Sequence, residues 1–335
     1  MSSVIFSIIM PTYNSEKTIR FSLNSINEQI YDKSKIECLV IDGGSTDKTL
    51  NIAREYSFVK ILKNKKRLPE FAKKIGFENA AGKYVIKMDS DEAFSNNGIL
   101  AARERAFAAF PDAHILVANE LRYKKSVNNG IAGNYLNGCG DPFTYFIYKQ
   151  KRTFLETYRS NIANSYDNGF NVLCFGRADK RPIADGGTTT VDLEFVKSKF
   201  ADEISNINFI CSVSDKVFDI THKCICIEND VVFHRSNLKL TGYLKKINFR
   251  IANNIFAKEE SGVSSRSASK GHKKYLFPLY TISFVFPLID SIRLSVEYKD
   301  IFMLFHIFYC YYTCFYIAWC MLLKLFKVKK INKEY

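Results

Sequence analysis

Several features are scarce or missing in this 335-residue chain, and each absence narrows what it can be. Nine cysteines are present, but they are scattered without metal-ligand spacing. Cys224 and Cys226 alternate with Ile225, which suits neighbouring strand positions better than a zinc knuckle. Reduced thiols in the cytoplasm are the expectation. Acidic charge is in deficit, with 34 Asp and Glu against 48 Lys and Arg, a net charge of +14. That excess needs an anionic surface or partner: anionic lipid, nucleic acid or a phosphorylated substrate. The basic-then-apolar layout of a signal peptide is absent, because the apolar run at 4–10 is short and passes straight into a turn. Hydrophobic residues make up 47% of the chain, which excludes a disordered protein. The length allows one large domain or two ordinary ones.

The first part alternates short apolar runs with helical periodicity. Residues 4–10, closed by Pro11, read as a strand; Ile19, Leu23, Ile26 and Ile30 follow at helical spacing, with Ser15 as the expected N-cap. A second strand covers 36–41, a helix runs from about 48 to 56, and a shorter strand spans 59–62. Pro69 opens a helix running to about Ala80, which Gly82 terminates. Another strand, a helix through Phe110 and a strand at 114–119 complete the pattern. Strands separated by helices of this length predict an α/β fold, a mainly parallel sheet with helices on both faces. Residues 121–179 are irregular, and regular signals return at 191–200 and 223–233.

Lys83 to Glu92 reads KYVIKMDSDE. An apolar run delivers Asp89 and Asp91 where a strand would end, and residues i and i+2 of an extended chain share a face. Two hard oxygen donors at the carboxyl end of a strand suit Mg²⁺ or Mn²⁺ shared with substrate phosphates. The alternative is a pair of exposed turn aspartates.

The C-terminal third changes character. Leu240, Tyr243, Leu244, Ile247, Ile251 and Ile255 form one helical face, with Lys239, Lys245, Lys246, Arg250 and Lys258 around it. That pattern predicts a basic amphipathic helix on a membrane, or else a helix packed on the domain. A polar linker occupies 259–274. An apolar run at 275–289 is short; the one at 301–323 is about 34 Å long as a helix, enough to cross a bilayer. Basic residues flank the region, Arg266, Lys270, Lys273 and Lys274 before it and Lys324, Lys327, Lys329 and Lys330 after it. They favour a hairpin with both outer ends cytoplasmic. The expected division is 1–235 for the α/β domain, 236–274 for amphipathic helix and linker, and 275–335 for a membrane hairpin with a basic tail. Because the basic residues cluster around apolar helices, no nucleic-acid partner is expected.

Several pieces occur in a fixed order: Met10-Pro11-Thr12-Tyr13-Asn14, then Ile41-Asp42-Gly43-Gly44-Ser45-Thr46-Asp47, then Lys73-Lys74 and Gly82-Lys83-Tyr84, then Asp89-Ser90-Asp91. With these the sequence resembles the family 2 glycosyltransferases, inverting enzymes of the Rossmann-like GT-A fold. The resemblance covers 6–120 clearly and 183–235 more weakly. It implies a nucleotide-sugar donor (a UDP- or GDP-sugar), held by Pro11, Thr12, Tyr13, Asn14, Asp42, Lys73 and Asp89. Asp42 has capping of its own turn as an equal alternative. For Lys73 the alternative is a solvated surface lysine. A metal would sit on Asp89 and Asp91, joined by His234. Gly186 and Gly187 fall in a loop like the family's acceptor-side loop. Asp215 would be the base that takes the acceptor proton; otherwise it is a helix N-cap.

This chain departs from the pattern at Gly43, where a second aspartate is common, at Lys73-Lys74, which stand for Arg-Asn, and at Ser214, which replaces an acid. The Gln-x-x-Arg-Trp motif of polymerising members is missing, since the one tryptophan is Trp319. Transfer of single sugars to a lipid-linked or cell-envelope glycan acceptor is therefore expected, by a membrane-bound enzyme with a cytoplasmic catalytic domain. The alternatives are a decayed transferase acting as a membrane scaffold, and a nucleotidyltransferase.

Overall fold

The structure is a computed structural model that describes residues 4–122, 132–176, 182, 187–235, 239–256 and 275–327. The chain forms two compact units, Met1–Arg122 with Thr153–Arg235, and Tyr123–Arg152 with Ser236–Tyr335.

The first unit begins β1 (Phe6–Thr12), α1 (Ile19–Asn27), β2 (Ile36–Asp42), α2 (Thr49–Ala53) and β3 (Val59–Lys63). It continues α3 (Pro69–Asn79), β4 (Tyr84–Lys87), β5 (Glu92–Phe94), α4 (Ile99–Ala109) and β6 (Ile115–Arg122). The chain then leaves to place α5 (Gly133–Cys139) and α6 (Pro142–Tyr148) in the second unit. It returns with α7 (Phe154–Thr157), β7 (Ile162–Ser165), β8 (Phe170–Cys174) and β9 (Thr190–Asp192), then α8 (Leu193–Phe200), α9 (Ile207–Thr221) and β10 (Lys223–His234). One sheet holds the strands in the order β3-β2-β1-β4-β9-β6-β10-β8-β7, with β5 added on β10. β1, β2, β3 and β4 are parallel, as are β6 and β10, while β9 runs antiparallel between β4 and β6.

The pleat explains why the central strands carry apolar residues on both faces. Phe6, Ile8 and Met10 enter one core with Ile19, Leu23 and Ile26 of α1, while Ile9 enters the opposite core with Ala72 and Phe77 of α3. A parallel sheet covered on both faces has no solvent side to mark with polar residues. At the amino ends of these strands the buried Glu37 carboxylate accepts from Ser7 Oγ (2.5 Å), the Ala81 N–H (2.7 Å) and Lys60 Nζ (2.7 Å). Burial would raise its pKa, but the hydrogen bonds from Lys60, Ser7 and Ala81 outweigh this and hold it below the usual carboxylate range.

Three local expectations change. Ser15 does not cap α1 with its side chain; the N-cap is Thr18, and the Ser15 carbonyl accepts from the N–H groups of Thr18 and Ile19. Gly82 lies beyond the end of α3, whose C-cap is Ala80. Its place is set by closeness to β1, because a Cβ there would lie 2.6 Å from the Ser7 nitrogen. The irregular 121–179 stretch contains the helices α5, α6 and α7 and the β7–β8 hairpin.

The second unit adds α10 (Leu240–Phe256), α11 (Phe277–Ile282), α12 (Val285–Tyr298) and α13 (His306–Leu325) to α5 and α6. Tyr243 and Ile247 of α10 are buried with Tyr135, Leu294, Met303 and Tyr309. The apolar face of α10 is thus taken up by protein, the second of the two readings of this face, and not laid on lipid. The first apolar run breaks at Phe284, whose φ is +57°, and α12 carries on past residue 289 to Tyr298. Among the described residues, Ile301–Leu325 is the one stretch long and apolar enough to cross a membrane, by length and composition. Beside its apolar core the unit buries polar groups and exposes large apolar ones. Thr281, Asp290, Ser291, His306 and Thr313 are buried, while Leu279, Ile282, Phe286, Ile289 and Phe315 are more than half exposed. Inside, Tyr280 donates to Asp290 (2.7 Å), Lys149 pairs with the same carboxylate, and His306 lies between the hydroxyls of Tyr135 (2.6 Å) and Tyr280 (3.0 Å).

Candidate active site

The loops after β1 and β2 leave side by side because Thr12 and Asp42 are register partners. The Asp42 carboxylate, 6% exposed, accepts from the Gly44 N–H (3.0 Å), the Ser45 N–H (3.1 Å) and Ser45 Oγ (2.5 Å). Turn capping is therefore its visible role. Asn14, at φ +47°, accepts from the Thr46 N–H (2.9 Å) and gives its own N–H to Ser45 Oγ (2.9 Å). Asn14 thus stitches the two loops together. Thr12 is buried and its hydroxyl donates to the Met10 carbonyl (3.1 Å), with Pro11 partly exposed beside it. Tyr13 projects outward, 47% exposed, with the Arg67 guanidinium 5.6 Å from its ring centre.

β4 ends beside this platform. Asp89 is exposed, and it makes a tight turn in which its N–H donates to the Glu92 carboxylate (3.0 Å) and its carbonyl accepts from the Glu92 N–H (3.0 Å). Ser90 Oγ donates to Ser15 Oγ (2.9 Å), joining this turn to the loop after β1. Asp91 is partly exposed, and its Oδ2 lies 3.3 Å from Nε2 of His234. β10 delivers that histidine by pairing antiparallel with β5, where His234 sits opposite Glu92. Asp91 and His234 are thus brought together from distant parts of the chain.

Glu92 is 6% exposed, and burial, then the charges of Asp89 and Asp91 against the opposing pull of His234, push its carboxyl up to about 8. Three acids crowd a place short of positive charge. A hard divalent cation fits that electrostatic demand and the oxygen and imidazole donors of Asp91 and His234. Among the described residues no group of three or more His, Cys, Asp and Glu gathers to hold a metal by itself.

Asp215 lies inside α9, whose N-cap is Asn206, so the N-cap alternative for Asp215 is wrong. Asp215 is partly exposed, and its neighbour Ser214 is buried and accepts from Lys87 Nζ (2.8 Å) at the end of β4. Lys73 is partly exposed on α3, which packs on α9. Gly187 has φ +56°; Gly186 lies outside the described residues, as do Arg266, Lys270, Lys273, Lys274, Lys329 and Lys330. Sequence reasoning did not single out Arg67, Lys87, Glu92 or Arg103. A buried lysine in an apolar strand, Lys87, was the one legible anomaly among them.

Residues 7–160 match the family described as Glycosyl transferase family 2. That segment belongs to the family 2 glycosyltransferases, and the fold around it is of the GT-A type. The chain is 36% identical over 114 residues to the poly(ribitol-phosphate) beta-N-acetylglucosaminyltransferase TarS of Staphylococcus aureus, covering 32% of this chain and 19% of that one. It is 41% identical over 86 residues to a dolichyl N-acetyl-alpha-D-glucosaminyl phosphate 3-beta-D-2,3-diacetamido-2,3-dideoxy-beta-D-glucuronosyltransferase of Methanococcus voltae, covering 24% of this chain and 27% of that one. The mannosyltransferase PcManGT of Pyrobaculum calidifontis, solved with GDP-Man and Mn²⁺, superposes with a TM-score of 0.54 at 14% identity, over 98% of this chain and 89% of that one. At that identity the likeness is one of fold. The chain spans between about a fifth and two fifths of the length of the curated relatives it matches.

Proposed function

We propose that this protein transfers a sugar from a UDP- or GDP-sugar to a lipid-linked or cell-envelope glycan acceptor at the cytoplasmic face of the cell membrane, with inversion at the anomeric carbon. The observation that carries the reading is the Asp91–His234 pair, 3.3 Å apart beside exposed Asp89, at the carboxyl end of a strand in a family 2 segment.

In this reading Tyr13 stacks on the base, while Asn14 and Asp42 hold the two loops that frame it. Arg67 and Lys73 supply positive charge toward the diphosphate. Asp89, Asp91 and His234 would hold Mg²⁺ or Mn²⁺, which offsets negative charge on the departing diphosphate. The acceptor oxygen forms a bond to the anomeric carbon as the bond to the diphosphate oxygen breaks, and Asp215 takes the acceptor proton. Lys87, through Ser214, steadies the helix that carries this base. Gly186 and Gly187 border the acceptor side. The relative from Methanococcus voltae, whose name specifies a dolichyl-linked sugar phosphate, supports a lipid-linked acceptor.

The large apolar side chains on the exterior of the second unit, with polar groups buried inside, support the membrane location. Lipid cannot hydrogen-bond, so a unit bathed in it turns apolar side chains outward and gathers polar groups within. Asp290 and His306 are paired there, while the Thr281 and Thr313 hydroxyls have no partner among the described residues. The decisive assay is release or transfer of sugar from a panel of UDP- and GDP-sugars with Mn²⁺. Asp91→Asn is expected to lower turnover at least 100-fold and to weaken Mn²⁺ binding. Equal turnover by wild type and Asp91→Asn would sink the reading.

A further inference from the structure

Arg103 of α4 is fully buried, and all five of its N–H donors are used. Nε and Nη2 grip both oxygens of Asp230, at 2.8 and 2.9 Å. Nη1 donates to the Thr188 carbonyl (2.6 Å) and to Thr190 Oγ1 (2.9 Å), and Nη2 also donates to Thr188 Oγ1 (2.7 Å). What the guanidinium holds is strained. Gly187 and Thr188 have φ of +56° and +59°, a left-handed conformation that a branched threonine avoids. Such a conformation persists only where the surroundings over-determine it.

The position of this turn gives the clamp its meaning. β9 runs antiparallel to β4, so the residues before Thr190 emerge where β4 ends. The Thr189 carbonyl accepts from the N–H of Lys87, two residues from Asp89. Asp230 sits at the irregularity in β10 between Ile227 and Val231, four residues before His234. One buried cation thus ties the strand that carries His234 to the turn that enters β9.

We propose that Arg103, with Asp230, is a positioning residue for the acceptor: it locks the Gly187–Thr188 turn that forms the acceptor-side wall. This rests on the transferase reading above. Breaking the clamp frees the turn and weakens acceptor use, while the Tyr13 platform for the donor, built by separate loops, keeps its geometry.

The test replaces the buried pair with apolar residues of similar volume, Arg103→Met with Asp230→Leu, a change that often leaves stability intact. The acceptors are polyprenyl-phosphate-linked N-acetylglucosamine and isolated wall glycan, with the sugar donor on which the wild type is most active. The expected result is an acceptor KM at least tenfold higher, a donor KM within twofold of wild type, and faster amide exchange confined to 187–190. Arg103→Lys, which keeps the charge but not the fork, is expected to show a smaller rise of the same kind and decides the matter if the double variant does not fold. An unchanged acceptor KM in the folded double variant, or donor and acceptor KM rising in step, overturns the clamp alone. A wild type that releases no sugar from any donor overturns the transferase reading, and this inference with it.

Discussion

Tyr13 offers the sharpest quantitative test of the donor site. Its ring is 47% exposed at the tip of the loop after β1, and the Arg67 guanidinium stands 5.6 Å from the ring centre. Stacking of a nucleotide base on an aromatic ring is worth about 1–3 kcal/mol by alanine substitution. The existing contact with Arg67, at an exposed site, is worth about 0.5–1 kcal/mol and is partly exchanged for the base. The net loss in Tyr13→Ala is therefore about 1–2 kcal/mol, a rise of about 5- to 30-fold in Kd for UDP or GDP. Tyr13→Phe keeps the ring and is expected to bind within about twofold of wild type. Titration calorimetry with UDP and with GDP, each in the presence of Mn²⁺, reads both variants. If Tyr13→Ala bound whichever nucleotide the wild type prefers with undiminished affinity, the stacking argument would be wrong. Folding is not at stake, because Tyr13 contributes to neither core.

Two other perturbations address stability and location. Glu37→Gln removes a buried carboxylate that accepts from the buried Ser7 hydroxyl and from the Ala81 N–H at the surface, while Lys60, 62% exposed, counts for little, so the loss is about 1–2 kcal/mol at pH 7. Because the native pKa of Glu37 lies below its ordinary 4.5, that stability is present above pH 4.5 and disappears as pH falls through the native value. Urea midpoints for wild type and variant should converge on acidification, and a gap that stayed constant down to about pH 3 would refute the assignment. In the second unit, Phe286 and Phe315 are 60% and 70% exposed. Phe286→Glu with Phe315→Glu should leave the fold intact in detergent but shift the protein from the membrane to the soluble fraction, since each buried charge costs about 2.5–3.5 kcal/mol in lipid. Undiminished membrane recovery would argue against lipid contact on α12 and α13.

Local pattern alone sufficed for β1, β2, β3, β4 and β6 and for the helices between them, because the direction of a side chain along a strand or helix depends on its own few residues. The apolar run also carried Asp89 and Asp91 to the neighbourhood of the end of β4, but they stand in the turn after Lys87 and not on one face of an extended chain. β5 and β9, three residues each, are too short to show a period. The stretch after Glu120 hid its helices because their apolar faces meet partners far along the chain, Tyr135 against Tyr243 and Tyr309, for example. His234 could be nominated from sequence, but only the β5–β10 pairing brings it to Asp91.

By itself the sequence determined the α/β class, the place where two acids follow a strand, and the existence of one membrane-length apolar helix. Tertiary structure decided the rest: that α10 turns its apolar face to protein, that Asp42 caps its own turn, that Arg67 comes to Tyr13, and that Arg103 holds Thr188. The reason is physical. Periodicity records which way each residue faces, whereas the identity of what it meets there is settled when distant segments compete to fill the same space without voids or unpaired polar groups.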